Sequence, residues 1–205
     1  GPLELVDPQA RRVKYLRLSL TDRCNYRCTY CMPEDGIEHR PRGELLTLEE
    51  LGVLVRAFAA WGVERVRLTG GEPTVRQGLV ELVAELAEIH GASGRLQVVM
   101  TTNGSQLHKL ARPLAEAGVK RLNISLDTLD RGCFARITGR DALGSVLEGL
   151  QAAQAAGGEA VATPRSQPCS TNPSVPEAPS AVLMMLAPAA LTGWWLRRRA
   201  AARPC

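Results

Sequence analysis

Three cysteines fall within eight positions, Cys24, Cys28 and Cys31, in the spacing C-x3-C-x2-C. Three thiolates can hold three irons of a [4Fe–4S] cluster, which leaves the fourth iron without a protein ligand. An open coordination position is the mark of a metal site that does chemistry. Two blander readings stand beside this one. A structural zinc site wants four ligands, and the nearest fourth candidate, His39, is eight residues beyond Cys31. Chance clustering is the other. A disulfide framework fits poorly, because Cys133, Cys169 and Cys205 are scattered. Those three read as ordinary thiols, in a reducing compartment.

The elements that must position these cysteines alternate along the chain. YLRLSL (15–20) has period two and predicts a strand, and the cysteine loop follows directly. Residues 47–61 predict a helix with Leu48, Leu51, Val55 and Phe58 on one face. Its start carries a capping box, Thr47 with Glu50 three residues on. RVRLT (65–69) predicts a second strand that ends in Gly70-Gly71, where a ligand could approach the backbone. A helix over 79–90, closed by Gly91, follows. Then come a strand over 96–102, a helix near 106–117, a strand over 121–126 and a helix over 144–156. Strands separated by helices of this length imply an α/β fold with parallel strands and right-handed crossovers. In barrels of such units, functional groups collect at the C-terminal ends of the strands. The cysteine loop, Gly70-Gly71, Thr101 and Ser125 all stand at or just after such ends.

The remaining features bound the function. The chain has 205 residues, of which 45% are hydrophobic and 22% charged, as expected of a globular core. Residues 1–159 carry 20 basic and 20 acidic side chains, so the body is neutral and gives no electrostatic case for nucleic-acid binding. The net charge of +4 therefore sits in the tail. Residues 160–205 hold 7 of the 13 prolines, and 163–180 read as a disordered linker. An apolar run over 181–196, followed by three arginines, is short for a membrane span and carries Pro188 and Gly193. A membrane anchor there is a weak alternative. The expected division is a core over 1–158 and a tail over 159–205. Gly rather than Met at position 1 suggests a processed chain or a fragment, and the start does not read as a secretory signal.

The motifs resemble those of the radical SAM superfamily and, within it, the GTP 3′,8-cyclase family of molybdenum cofactor biosynthesis. The resemblance rests on LSLTDRCNYRCTYCMP (18–33), RLTGGEP (67–73), TTNG (101–104) and NISLDTLD (123–130), in the family's order and spacing. It covers residues 10–157 and implies an incomplete TIM-like (β/α) barrel. It implies a [4Fe–4S] cluster on Cys24, Cys28 and Cys31, with S-adenosylmethionine (SAM) on the open iron. One electron then cleaves SAM to methionine and a 5′-deoxyadenosyl radical. Tyr30, Gly71 and Ser125 match SAM contacts, and Arg17, Arg67 and Thr101 match GTP contacts. No side chain is assigned a catalytic role, because the cofactors carry the hard chemistry. The reaction implied is hydrogen abstraction at ribose C3′ and attack on guanine C8, giving 3′,8-cyclo-7,8-dihydro-GTP. An electron donor and a cytoplasmic location are implied as well, and a homodimer is left open.

Plainer roles stand against each match. Tyr30 would be a packing aromatic, GGEP a turn, and Ser125 a structural serine. Arg17 and Arg67 would be buried in carboxylate pairs, for example with Asp127 or Glu72. The chain also departs from the family. The resemblance implies a further strand with a GTP-contacting lysine and three later cysteines for a second cluster. There is no lysine after Lys120 and no CxxC after Cys31. A truncated or frame-shifted cyclase is therefore expected, with an exposed apolar edge where further units would pack. The competing readings are a radical SAM core with another substrate and a non-catalytic module that retains the cluster.

Overall fold

A computed structural model describes residues 5–31 and 37–163. Its strands are β1 (Tyr15–Ser19), β2 (Arg65–Thr69), β3 (His90–Gly91), β4 (Gly94–Arg95), β5 (Gln97–Thr102), β6 (Arg121–Ser125) and β7 (Glu159–Thr163). Its helices are α1 (Leu48–Ala60), α2 (Leu79–Ala87), α3 (Leu107–Ala117), α4 (Arg131–Thr138) and α5 (Leu143–Ala155). Five strands form one sheet in the order β1-β2-β5-β6-β7, every pair parallel. β3 and β4 form a separate antiparallel hairpin.

That order has no reversal, which separates the sheet from a doubly wound one, where the order turns back and both faces are covered. The core confirms the distinction. Leu18, Val66, Leu68, Val98, Met100, Leu122 and Ile124 belong to the main apolar cluster with the helices. The alternate residues of the same strands make a polar face: Arg17, Arg67, Thr101, Asn123 and Ser125, with Val99 and Val161 as its buried apolar members outside the main cluster. Helices α1, α2, α3 and α5 pack side by side in chain order. One apolar face under helices and one polar face, wound in one direction, is the wall of a (β/α) barrel.

Local signals explain most element ends. Thr47 Oγ1 accepts from Glu50 N (3.2 Å) and Glu50 Oε2 accepts from Thr47 N (2.7 Å), so the expected capping box is formed. Replacing Thr47 with alanine is expected to lower stability by about 1 kcal/mol, read as a shift in the urea midpoint. Helix α2 ends at Ala87, short of the expected His90. Arg95 Nε donates to the Ala87 carbonyl (2.6 Å), and the β3–β4 hairpin turns at Gly94 (φ +106°). The chain has also folded back there: a Cβ on Gly91 would run into the Ala59 carbonyl.

Two elements are additions to the sequence reading. Helix α4 starts at Asp130, whose Oδ1 accepts from Cys133 N (2.6 Å), and stops at Gly139 (φ +67°). Strand β7 follows Gly157 (φ +75°) and carries the sheet to Thr163, beyond the boundary expected at 158. Cys133 is disulfide-bonded, not the ordinary thiol expected. Cys169, Cys205, the expected linker and the apolar run over 181–196 lie outside the described residues. Among the described residues no helix is long and apolar enough to cross a membrane.

Candidate active site

The cysteine loop is held from two sides. On one side it lies along the end of β2: Leu20 N donates to Thr69 O (2.9 Å), Gly71 N to Thr21 O (2.7 Å) and Glu72 N to Arg23 O (2.8 Å). This contact accounts for both glycines. Gly70 has φ +140°, and a Cβ there would sit 2.5 Å from Thr21 O; a Cβ on Gly71 would strike the Arg23 carbonyl. The protein's own chain thus makes a close approach at both glycines. On the other side Arg27 N donates to Thr138 O (2.8 Å) and Thr29 N to Ile137 O (2.9 Å), which docks the loop on α4. The Tyr26 ring meets Phe134 edge to face, centroids 6.0 Å apart.

Within the loop Cys24 is half-buried, Cys28 buried and Cys31 exposed, and all three are free. Cys31 N donates to Cys28 O (3.0 Å), closing the turn between them. Burial raises the Cys24 thiol above its ordinary value. Burial, followed by the neighbouring Cys31, pushes Cys28 up to about 12. Metal uptake must therefore displace protons from neighbouring thiols. The donor set is soft sulfur, as iron–sulfur and zinc sites require. His39, the candidate fourth zinc ligand, is turned elsewhere, its Nδ1 3.4 Å from Asp22 Oδ2. Among the described residues no group of three His, Cys, Asp or Glu is set as a ready-made single-ion site. A cubane asks something different, since each cysteine holds its own iron. The three thiols fit that cluster.

Behind the thiols lies a knot that the sequence reading missed. Glu72 is only 1% exposed. Its Oε1 accepts from Thr74 N (3.1 Å), Thr74 Oγ1 (2.6 Å) and Thr102 Oγ1 (2.7 Å), and its Oε2 accepts from Asn103 N (2.7 Å). Burial raises this carboxyl, and those hydrogen bonds oppose the shift. Asn103 Nδ2 donates to Asn25 Oδ1 (2.8 Å), and Asn25 Nδ2 donates to Ser105 Oγ (2.8 Å). The GGEP, TTNG and cysteine loops are thus one hydrogen-bonded unit. The available signal was that each loop follows a strand and carries short polar side chains suited to bonding a neighbouring backbone.

The remaining expected residues divide by place. Tyr30 is 42% exposed, so it is not a packing aromatic; its phenol donates to Asp127 Oδ2 (3.1 Å) beside the Cys28 thiol. Ser125 is half-buried at the end of β6, opposite Thr163. Arg17 is exposed, not buried as expected, because β1 is an edge strand and its polar face is uncovered. Arg67 is half-buried beside it in register; its Nη1 donates to Thr101 Oγ1 (3.1 Å) and its guanidinium lies over the Tyr15 ring (5.6 Å). The expected carboxylate pairs do not form with Glu72, whose oxygens are taken. One rung lower, Arg65 bonds Gln97; Arg121, in line with Arg67 through Val99, pairs with Glu159 (3.4 Å), while its Nε is buried without a partner. Among the described residues no carboxylate comes within ion-pair distance of Arg17 or Arg67, and Arg67 Nε is buried without a partner. The upper rung is thus left cationic beside the cysteine loop.

The sequence pattern of the Radical SAM superfamily matches residues 18–164, from the end of β1 to just past β7. The chain belongs to the radical SAM superfamily. Proteins of known structure share the fold. SuiB of Streptococcus suis bound to S-adenosylmethionine superposes with a TM-score of 0.61 at 20% identity, over 72% of this chain and 33% of that one. The protein titled anSMEcpe with bound AdoMet gives 0.59 at 19%, over 72% and 42%. Nearer in sequence is a protein of Erythrobacter litoralis named GTP 3′,8-cyclase, 55% identical over 154 residues, which are 75% of this chain and 46% of that protein. A GTP 3′,8-cyclase of Geobacter sulfurreducens is 50% identical over 155 residues, 76% and 47%. The chain thus spans about half the length of these relatives.

Proposed function

We propose that this chain binds a [4Fe–4S] cluster and SAM and serves the GTP 3′,8-cyclase reaction of molybdenum cofactor biosynthesis. The observation that carries the reading is the cysteine loop locked to Gly70-Gly71 at the strand ends beside a cationic upper rung, in a chain half identical to proteins of that name. Cys24, Cys28 and Cys31 hold the cluster, and a cluster held there supplies one-electron cleavage of SAM. Tyr30, Gly71 and Ser125 bind SAM. Arg17, Arg67 and Thr101 receive GTP, the arginines meeting its phosphates as charge-assisted donors. The chain's residues thus bind and orient both molecules on one face of the sheet.

A reductant protein is the required partner, and the cytoplasm is the proposed location. A second reading is favoured by the 46% coverage: a cluster-bearing module that cleaves SAM without responding to GTP. Anaerobic reconstitution with iron and sulfide, followed by assay of 5′-deoxyadenosine from SAM and dithionite, separates the two. GTP-stimulated cleavage supports the cyclase reading. Cleavage indifferent to GTP supports the module, and a chain that takes up no iron overturns both. In the same assay Arg67→Ala is expected to raise the GTP concentration needed for half-stimulation by about tenfold or more, the loss of a charged hydrogen bond.

A further inference from the structure

Two N–H groups are aimed at the Cys24 sulfur. Tyr26 N lies 3.4 Å from Sγ, and Asn103 Nδ2 lies 4.0 Å from it. The Asn103 side chain has little freedom. Its Oδ1 accepts from Ser105 N (3.0 Å), which fixes the end of the amide that carries oxygen. One hydrogen of Nδ2 is spent on Asn25 Oδ1 (2.8 Å), so the other is left for the sulfur. The backbone is pinned as well, because Asn103 N donates to the buried Glu72 carboxylate (2.7 Å). Asn25 is held in turn by Ser105 Oγ (2.8 Å).

We propose that Asn103 is a positioning residue for the cluster, donating an N–H···S hydrogen bond to the Cys24 thiolate and setting the ease with which the cluster accepts its electron. The inference rests on the cluster reading above and deepens it. Reduction adds negative charge that is shared by the ligating sulfurs. An N–H aimed at such a sulfur stabilises the reduced form more than the oxidised one, and hydrogen bonds of this kind are a known lever on cluster potential. Glu72 is linked to the same cysteine through this residue: the carboxylate holds the Asn103 backbone N–H, and the Asn103 side-chain amide faces the sulfur. The network is therefore an electronic support for the cluster as well as a brace for the loops.

The test is a redox titration of the reconstituted full chain, followed by EPR, beside Asn103→Ser. Serine keeps the backbone N–H for Glu72 and an oxygen for the Ser105 turn, and it loses the amide that reaches Cys24. At a fixed potential the reduced-to-oxidised ratio is expected to fall about tenfold, a midpoint lowered by about 59 mV for a one-electron couple, with iron content unchanged. An unchanged midpoint at full iron content overturns the proposal. A second measurement needs no variant. The unsubstituted chain, labelled with [15N]asparagine and reduced with dithionite, is expected to show a weak 15N hyperfine coupling in pulsed EPR. Its absence from a fully loaded chain overturns the inference while the cluster reading stands. A chain that takes up no iron overturns the cluster reading and this inference with it.

Discussion

Cys28→Ser is expected to abolish iron retention and to reduce SAM cleavage to background, while the chain stays folded. Cys28 lies between the other two ligands and is the buried one, its thiol raised by burial and by Cys31. Serine is close in size, so the loop keeps its bonds to α4 through Arg27 N and Thr29 N. Its hydroxyl does not replace thiolate as an iron ligand. A three-cysteine site has no spare ligand, and His39 lies beside Asp22, its Nδ1 3.4 Å from Oδ2. Iron and sulfide analysis after reconstitution, with far-UV circular dichroism as the folding control, checks the outcome. Full iron content in Cys28→Ser would remove the basis for assigning the cluster to this loop.

Gly70→Ala is expected to cost about 3 kcal/mol or more, a large share of the stability of a domain this size. Two penalties combine at this position. The backbone has φ +140°, a conformation an L side chain rarely adopts, and the new methyl would meet Thr21 O at 2.5 Å and Thr21 N at 3.0 Å. Neither neighbour can give way, because both belong to the cysteine loop. Gly157→Ala supplies the comparison: its φ is +75°, but nothing lies within 4 Å of the added carbon. Its expected cost is the conformational part alone, about 1 kcal/mol. Urea titration of both variants reads the difference. Equal midpoint shifts would show that the packing of the two loops adds nothing to the conformational strain.

The sequence spoke most clearly where chemistry restricts residue types. Cys24, Cys28 and Cys31 are legible because few functions other than metal binding want three thiols at that spacing. Thr47 and Glu50 mark the start of α1 because a capping box leaves two residues in a fixed relation. Periodicity located β1, β2, β5 and β6 to within a residue. The helix expected to run to His90 stops at Ala87 because a side chain from a later turn, Arg95, takes its last carbonyl, and no local pattern announces that. Helix α4 is only eight residues long, and β7 (EAVAT) follows Gly157-Gly158 with small side chains that make no clear apolar alternation. The alternation in YLRLS showed that Arg17 and Leu18 face opposite ways. It could not show which face has helices on it, and so Arg17 was expected inside. Glu72 reads as part of a turn because its partners, Thr74, Thr102 and Asn103, come together only when β2 and β5 lie side by side.

The polar face of the sheet also sets the medium in which its charges work. Among the described residues the helices occupy one side of the sheet, and Arg17 on the other side is in contact with water. Two unit charges 4 Å apart attract by about 1 kcal/mol in bulk water and by about 4 kcal/mol at an effective dielectric constant of 20. The same arginine and phosphate thus differ by about a hundredfold in affinity according to what lies above them. With the face open, mobile ions screen the attraction over about 8 Å at physiological ionic strength. The strength of the proposed anion site is therefore a property of whatever layer closes over the sheet as much as of Arg17 and Arg67 themselves.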